Sequence, residues 1–464
     1  MPQSIRFRPL VTGLMEKPYI GVLLLIKNQI KSLNQLAVPL IANSLFGLSI
    51  ECIDQAMVGH LSISAFAAIG AVGNFLYTLA GIIDSIAIAF NIYGSQAIGE
   101  RRNDKFLALF RSSLLLDFFL GAGFGLFLLL FRGSLLRQLY GFSGQTLHEA
   151  NTYLSIMSGY PLLQLIIFTL TNCLKIKKNT KWILIISTTT TLLHTGLNYL
   201  LIFGKLGFPE LGIAGAAISS MLILCLDAGC YAWLLRKEIW AALPARRSKL
   251  IFLIQKSLPL LGQELIEGGL FVIALQALLA HLGTIVLSSY LLIGQFLQIG
   301  LIPAFMYSSA LLTLVGESQG ARHSTRLKTL PRLASALALT FFSLSGILFS
   351  ILWSPFAGLI TSNLRLIHYS AGIFLLLWLA NSFQPLFTIY KAALQSVGQS
   401  TYVFLTTFLV NLAALILMIL ITIDMHLGIY GIAFCLFGNY SALFAILLLS
   451  YSKAVKRSGI TAPS

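Results

Sequence analysis

Acidic side chains are scarce in this chain. Asp and Glu number 15 against 31 Lys and Arg in 464 residues, and the four charged types together make up 10% of the sequence. Soluble globular domains carry about a quarter charged residues, and here 57% are hydrophobic and the mean hydropathy is +0.87. A soluble fold is excluded, and the composition is that of an all-α polytopic membrane protein. Cysteine is also sparse. Cys52, Cys173, Cys225, Cys230 and Cys435 include no CxxC, so neither a disulfide framework nor a metal site is expected, and they read as small apolar packing residues. No G-x-x-x-x-G-K-[ST] occurs, which leaves a nucleotide-driven pump unsupported. HExxH, GxSxG and a paired-Asp diphosphate site are absent too, so the chain does not read as an enzyme and no cofactor is implied. Nor is there a ladder of Arg or a TVGYG-like filter, as voltage sensors and potassium channels need.

The bases that are present act as punctuation, because Lys and Arg rarely face lipid. The apolar intervals between them hold twelve spans. With the N-terminus inside, 27 Lys and Arg fall in inner segments and only Arg132, Arg137, Lys205 and Arg365 fall outside. That bias puts both termini in the cytoplasm of a cell, or inner, membrane. The net charge of +16 is therefore a topology signal with some attraction to anionic lipid headgroups, and nucleic acid is not an expected partner. Residues 1–31 combine Arg6 and Arg8 with a short apolar run and no small-residue cleavage site, and read as an interfacial N-terminal segment.

The twelve spans repeat as six and six. Pro39-Leu40 recurs as Pro259-Leu260, the turn His60-Leu61-Ser62 as His281-Leu282-Gly283, GSQAIGE from Gly94 as VGESQG from Val315, and LGIAGAA from Leu211 as LGIYGIA from Leu427. An offset near 220 residues maintained this far marks an internal duplication. An even number of spans per copy inserts both in the same sense, so the lobes, 32–236 and 250–451, should be related by a pseudo-two-fold along the membrane normal. Residues 237–249 form an inner linker and 452–464 a cytoplasmic tail. Gly-rich stretches such as LGIAGAAISS invite close helix contact.

The few acids do not follow the repeat. Glu51 and Asp54 in span 1 correspond to Val272 and Leu275, while Glu264 and Glu267 in span 7 correspond to Asn43 and Phe46. At about 100° per residue, Pro39, Asn43, Gly47, Glu51 and Asp54 lie within about 120° of one another. An ionised Asp at a membrane helix centre costs at least about 2.5–3.5 kcal/mol, so this stripe should face a cavity, a partner or a bound cation. Two carboxylates at i, i+3 cannot both ionise cheaply in low dielectric and are suited to share a proton or hold a cation. Asp84, His194, Asn198, Gln276 and Gln384 are the further polar candidates for a cavity lining. Asp117 and Asp227 read as structural groups, and the abundant aromatic residues as lipid-facing or packing residues.

Taken together these segments resemble the multidrug and toxic compound extrusion (MATE) transporters, in their NorM/DinF-like branch. CIDQAMVGHLS from Cys52, GSQAIGE, LNYLLIFGKLGFPELGIAGAAISS from Leu197, EGGLFVIALQALLAHLG from Glu267 and KAALQSVGQST from Lys391 carry the resemblance in order. It implies two six-helix lobes that rock around a central cavity and export cationic or amphipathic compounds against inward flow of H⁺ or Na⁺. It also implies that Asp54 and Glu267 take part in coupling, with Glu51 and Glu264 beside them. Gln384 stands where that branch carries an acid in span 10, and Lys178 where a Gly is expected after span 4. The acid missing at Gln384 favours H⁺ over Na⁺. Small organic cations, membrane lipids and a monomeric state are the partners and assembly so implied. A lipid-linked oligosaccharide flippase is the alternative of similar architecture, and export of one specific metabolite is another.

Overall fold

The computed structural model describes residues 16–59, 62–244 and 249–457, all helices and short turns. The first span is α1 (Glu16–Gly59), continuous over 44 residues and about 66 Å, or twice the hydrocarbon thickness of a bilayer. The second divides into α2 (Ile63–Ile83) and α3 (Ser85–Gly99), with Asp84 at the junction. The third is α4 (Asn103–Tyr140). The fourth breaks into α5 (Gly144–Ile156) and α6 (Tyr160–Ile176) around a 3₁₀ turn, with Pro161 starting the second piece. Spans five and six are α7 (Thr180–Phe203) and α8 (Gly212–Leu234), and α9 (Arg236–Ala242) begins the linker. In the second lobe, α10 (Leu250–Glu264) and α11 (Phe271–His281) flank a π-helical turn at Leu265–Leu270, and together make span seven. Next come α12 (Thr284–Gly320), α13 (Ser324–Ile351) with the short α14 (Trp353–Ile360), and the divided span α15 (Leu364–Ala380) and α16 (Gln384–Ser396). The last two are α17 (Ser400–Ile419), ending in a second π turn, and α18 (Gly428–Arg457).

Eleven of these spans are long and apolar enough by composition to cross a membrane. The twelfth, α7, is about 36 Å long but rich in threonine. Within it Thr189 satisfies its hydroxyl locally, donating to the Ile185 carbonyl at 2.8 Å. Back-bonding of this kind leaves no free donor facing lipid.

The duplication is visible in which helices touch. In each lobe the first span packs on the fifth, the second on the fourth, and the sixth on the fourth and fifth; between lobes α1 meets α12 as α10 meets α3. The helix pair on the pseudo-axis is α3 with α12. A Cβ built on Gly99 would fall 2.1 Å from the Glu317 carbonyl oxygen, and one on Gly320 would fall 2.1 Å from that of Gln96. Those four residues are two pairs at the repeat offset of 221, so the axis runs between these two glycines. Gly215 in LGIAGAAISS plays the close-packing role within the first lobe, its Cβ position lying 2.4 Å from the Leu201 carbonyl. Backbone geometry repeats as well: Arg101 and Arg322 adopt φ of 59° and 58°, and Gly212 and Gly428 of 53° and 54°. Twelve helical spans in two six-span lobes about a pseudo-two-fold are thus the architecture of the described residues.

Both described chain ends lie on one face. The Tyr451 hydroxyl near the end of α18 donates to the Leu327 carbonyl at the start of α13 (2.7 Å), and Thr329 donates to Gln29 near the start of α1. This is called the terminal face below.

Candidate functional site

In the half of the bundle away from the termini, the first lobe supplies most of the lining of a half-open cavity of about 870 Å³. Phe66, Tyr77, Tyr153, Met157 and Tyr160 form much of its wall, with Leu48 and Val58 of α1 and Gln298 of α12. His194 and Asn198 line it too. They lie one turn apart on α7, where a His Nε2 to Ser220 Oγ hydrogen bond of 3.1 Å and a contact between Ser219 and Asn198 tie α7 to α8. One turn earlier Thr190 donates to Asp227 at 2.8 Å. An aromatic wall with a few fixed polar groups is the usual make-up of a pocket for a small amphipathic molecule.

Towards the terminal face, the second lobe holds an internal ion pair. Lys391 Nζ lies 2.8 Å from Glu267 Oε2, and the two side chains are only 18% and 17% exposed. Gln263 donates to the other oxygen of Glu267 at 2.9 Å, and Gln395 donates to Gln263 at 2.8 Å. The π turn holding Glu267 widens the helix at this point, as π turns commonly do at functional sites. Glu264, at the end of α10, lies within electrostatic reach of this pair and of Asp84, and Asp84 of Lys175 on α6. Oδ1 of Asp84 is buried without a hydrogen-bond partner.

The terminal face is closed along the seam between lobes. Beside the Gly99–Gly320 crossing, the Gln96 amide donates to the Ser396 carbonyl at 2.7 Å, and Lys178 pairs with Glu317 at 2.7 Å. A bundle shut on one face and hollow on the other is one of the two states needed for alternating access.

A model of the MatE family matches residues 39–200 and 259–422, one segment in each lobe. The chain belongs to the MatE family. It is similar to a probable multidrug resistance protein NorM of Thermotoga maritima, 23% identical over 82% of both chains. A NorM of Aromatoleum aromaticum is 25% identical over 77% of this chain and 78% of that one. Among solved structures, the Vibrio cholerae MATE transporter VcmN in its bent form superposes with a TM-score of 0.84 at 21% identity, covering 94% of this chain and 99% of that one. A MOP superfamily transporter from Pyrococcus furiosus superposes at 0.82 and 16% identity, over 93% and 97%. Its binding pocket is described as having reverse polarity, suggesting a different function. A MatE chain is a membrane transporter and not an enzyme.

In this MatE chain the expected site residues fall into separate groups. His194 and Asn198 reach the cavity, whereas Glu264, Glu267 and Asp84 belong to the charged cluster near the seam. Asn43 is half-buried on α1, one residue from Ser44, whose hydroxyl reaches the Met306 sulfur at 3.6 Å. Gln276 is half-buried on α11, and Gln384 starts α16 at the break in span ten, its carbonyl accepting from Thr388 at 2.8 Å. None of these three lines the cavity. Glu51 and Asp54 lie on helix α1, and their side chains are outside the described residues. Lys391 is the residue that the charge pattern misplaces. Read from sequence it marks an inner loop, but it sits within α16, inside the bundle. A lysine survives there because a carboxylate neutralises it, and removing it from the count of 27 leaves 26 against 4.

Lys178 adopts φ of 60°, where its repeat counterpart is Gly398 at φ 86°. The left-handed conformation costs a non-glycine residue on the order of 1–2 kcal/mol, and the partly exposed pair with Glu317 returns at most about 1 kcal/mol. Lys178→Gly should therefore change thermal stability little while weakening the terminal seam. Increased labelling of a Ser396→Cys reporter from the terminal side would show it, and unchanged labelling would deny the pair any role in closure.

Proposed function

We propose that this chain is a secondary active efflux antiporter. It exports cationic and amphipathic organic compounds across the cell membrane in exchange for protons. The aromatic-walled cavity, shut off from the terminal face by the Gly99–Gly320 seam, is the observation that carries this reading. Aromatic faces attract organic cations by roughly 0.5–2 kcal/mol each, and the relatives' names as multidrug resistance proteins support the same substrate class. The terminal face is cytoplasmic, as the 26 to 4 distribution of basic residues argues, so the cavity described faces outward. One copy holds a complete cavity and seam, and a monomer is the working unit. Protons reaching Asp54, with Glu51 sharing the charge, lower the affinity for a bound cation in the outward state, and release of those protons inside completes the cycle. Coupling needs such a difference in binding between the two states. A flippase for lipid-linked diphosphates calls for a cationic cavity, and the lysines here are held against acids near the seam instead.

Reconstituted protein should expel a fluorescent organic cation when a pH gradient is imposed, and Asp54→Asn should reduce that coupled export to background. Full coupled export by Asp54→Asn would remove this acid from the mechanism. Tyr77 is 74% exposed and lines the cavity, so its ring contributes to the wall rather than to packing. Tyr77→Ala should leave thermal stability unchanged and weaken binding of the same cation by about 0.5–1 kcal/mol, roughly two- to fivefold in Kd.

A further inference from the structure

We infer that Lys391 acts as a built-in counter-cation that occupies the carboxylate of Glu267 and so makes the second lobe indifferent to Na⁺. This rests on the antiporter reading and specifies which cation the chain refuses. The geometry is that of a filled site. One oxygen of Glu267 receives the Lys391 ammonium at 2.8 Å and the other receives the Gln263 amide at 2.9 Å. The Gln263 carbonyl, a neutral oxygen that a metal ion could recruit, already accepts from Gln395. The ammonium also stands over the Phe387 ring at 5.5 Å from its centroid, which holds its stem against α16.

Neither member of the pair is required by the scaffold. In the first lobe the corresponding positions are Thr171 and Phe46, and that lobe folds with neither charge. The other charged or titratable groups facing Glu267 are Glu264 on its own span and Tyr440 on α18. Glu264 adds negative charge, so the region as a whole would attract a cation if the lysine were absent. A tethered ammonium competes with dissolved Na⁺ as an intramolecular ligand, at an effective concentration in the millimolar range or above. A hard monovalent ion needs several oxygens at once, and here both oxygens of Glu267 and the Gln263 carbonyl already have donors.

The test is made on purified full-length protein in detergent, by thermal unfolding with NaCl titrated against KCl at constant ionic strength and by ²²Na⁺ retention. Wild-type protein should show no Na⁺-specific stabilisation and only background retention. Lys391→Met keeps the length of the side chain without its charge, and should gain saturable Na⁺ stabilisation with affinity roughly tenfold or more above wild type. Adding Glu267→Gln to that variant should remove the gain, and Lys391→Arg should behave as wild type. Na⁺-specific stabilisation of wild type that disappears in Glu267→Gln would overturn the inference, even if Lys391→Met failed to fold. So would a folded Lys391→Met that ignores Na⁺. These readouts involve no transported compound, so a chain that ignored Na⁺ as expected, with Lys391→Met gaining the response, but exported nothing under a pH gradient would count against the antiporter reading alone.

Discussion

Gly320→Ala should lower coupled export by roughly tenfold or more while leaving the protein folded and in the membrane. The added methyl would stand 2.1 Å from the Gln96 carbonyl oxygen, 2.9 Å from its carbon and 3.0 Å from the Glu100 nitrogen. All three are backbone atoms, so no rotamer change can relieve the contact, and α3 and α12 must separate. Overpacking of this kind costs about 1–3 kcal/mol, and it is charged only to the state in which the seam is shut. A bias of about 2 kcal/mol between two states shifts their ratio nearly thirtyfold. Gly99→Ala meets the Glu317 carbonyl at the same 2.1 Å, and by the pseudo-symmetry it should have the same effect. Thiol labelling of a Ser396→Cys reporter measures the shift directly, because Ser396 is fully buried beside Gln96 in the closed seam. Both alanine variants should label faster from the terminal side. Wild-type labelling and export in either variant would show that the glycines are packing residues without a part in closure.

The second large effect is expected at the ion pair, and it should show in the failure of additivity. Glu267→Gln strands the Lys391 ammonium, and Lys391→Met strands the Glu267 carboxylate, each within the bundle. Removing one partner of a buried pair typically costs about 3–5 kcal/mol, because the remaining charge is left without compensation, whereas replacing both is often nearly neutral. Each single variant should therefore unfold at a clearly lower temperature in Na⁺-free KCl buffer, and the double variant Glu267→Gln/Lys391→Met should regain most of the loss. A double variant as unstable as the two single losses combined would mean that the two side chains are not coupled. Gln263 and Gln395 remain to bond the amide in the double variant, which is why recovery is expected rather than a new defect.

Much of this architecture is legible in the sequence because membranes simplify the problem. Lipid demands internally bonded helices, so apolar length locates most spans; α7 falls below the hydropathy criterion because its threonines count as polar, although a threonine can satisfy its donor within the helix. The duplicated signatures GSQAIGE and VGESQG mark the helix pair at the pseudo-axis, although nothing in the letters says that Gly99 and Gly320 touch the opposite backbone. The site is less legible. Lys391 resembles every other boundary lysine until its partner 124 residues away is known, since spacing reveals neighbours within a helix but not across a bundle. The sequence reading sets aside Tyr77, Tyr153 and Tyr160 as ordinary membrane aromatics, and only the tertiary structure gathers them around one cavity. The i, i+3 spacing of Glu264 and Glu267 suggests a carboxylate pair on one face, but the π turn between Leu265 and Leu270 changes the helical pitch there. Glu267 finds a lysine before it finds its sister acid.

The central claim is that proton movement, and not sodium movement, drives organic compounds through this chain. The most direct measurement is transport of a fluorescent organic cation in proteoliposomes under four imposed conditions: a pH gradient alone, a Na⁺ gradient alone, both, and neither. Export should follow the pH gradient, be unchanged by adding the Na⁺ gradient, and remain at background with Na⁺ alone. Export driven by the Na⁺ gradient at uniform pH would contradict the account.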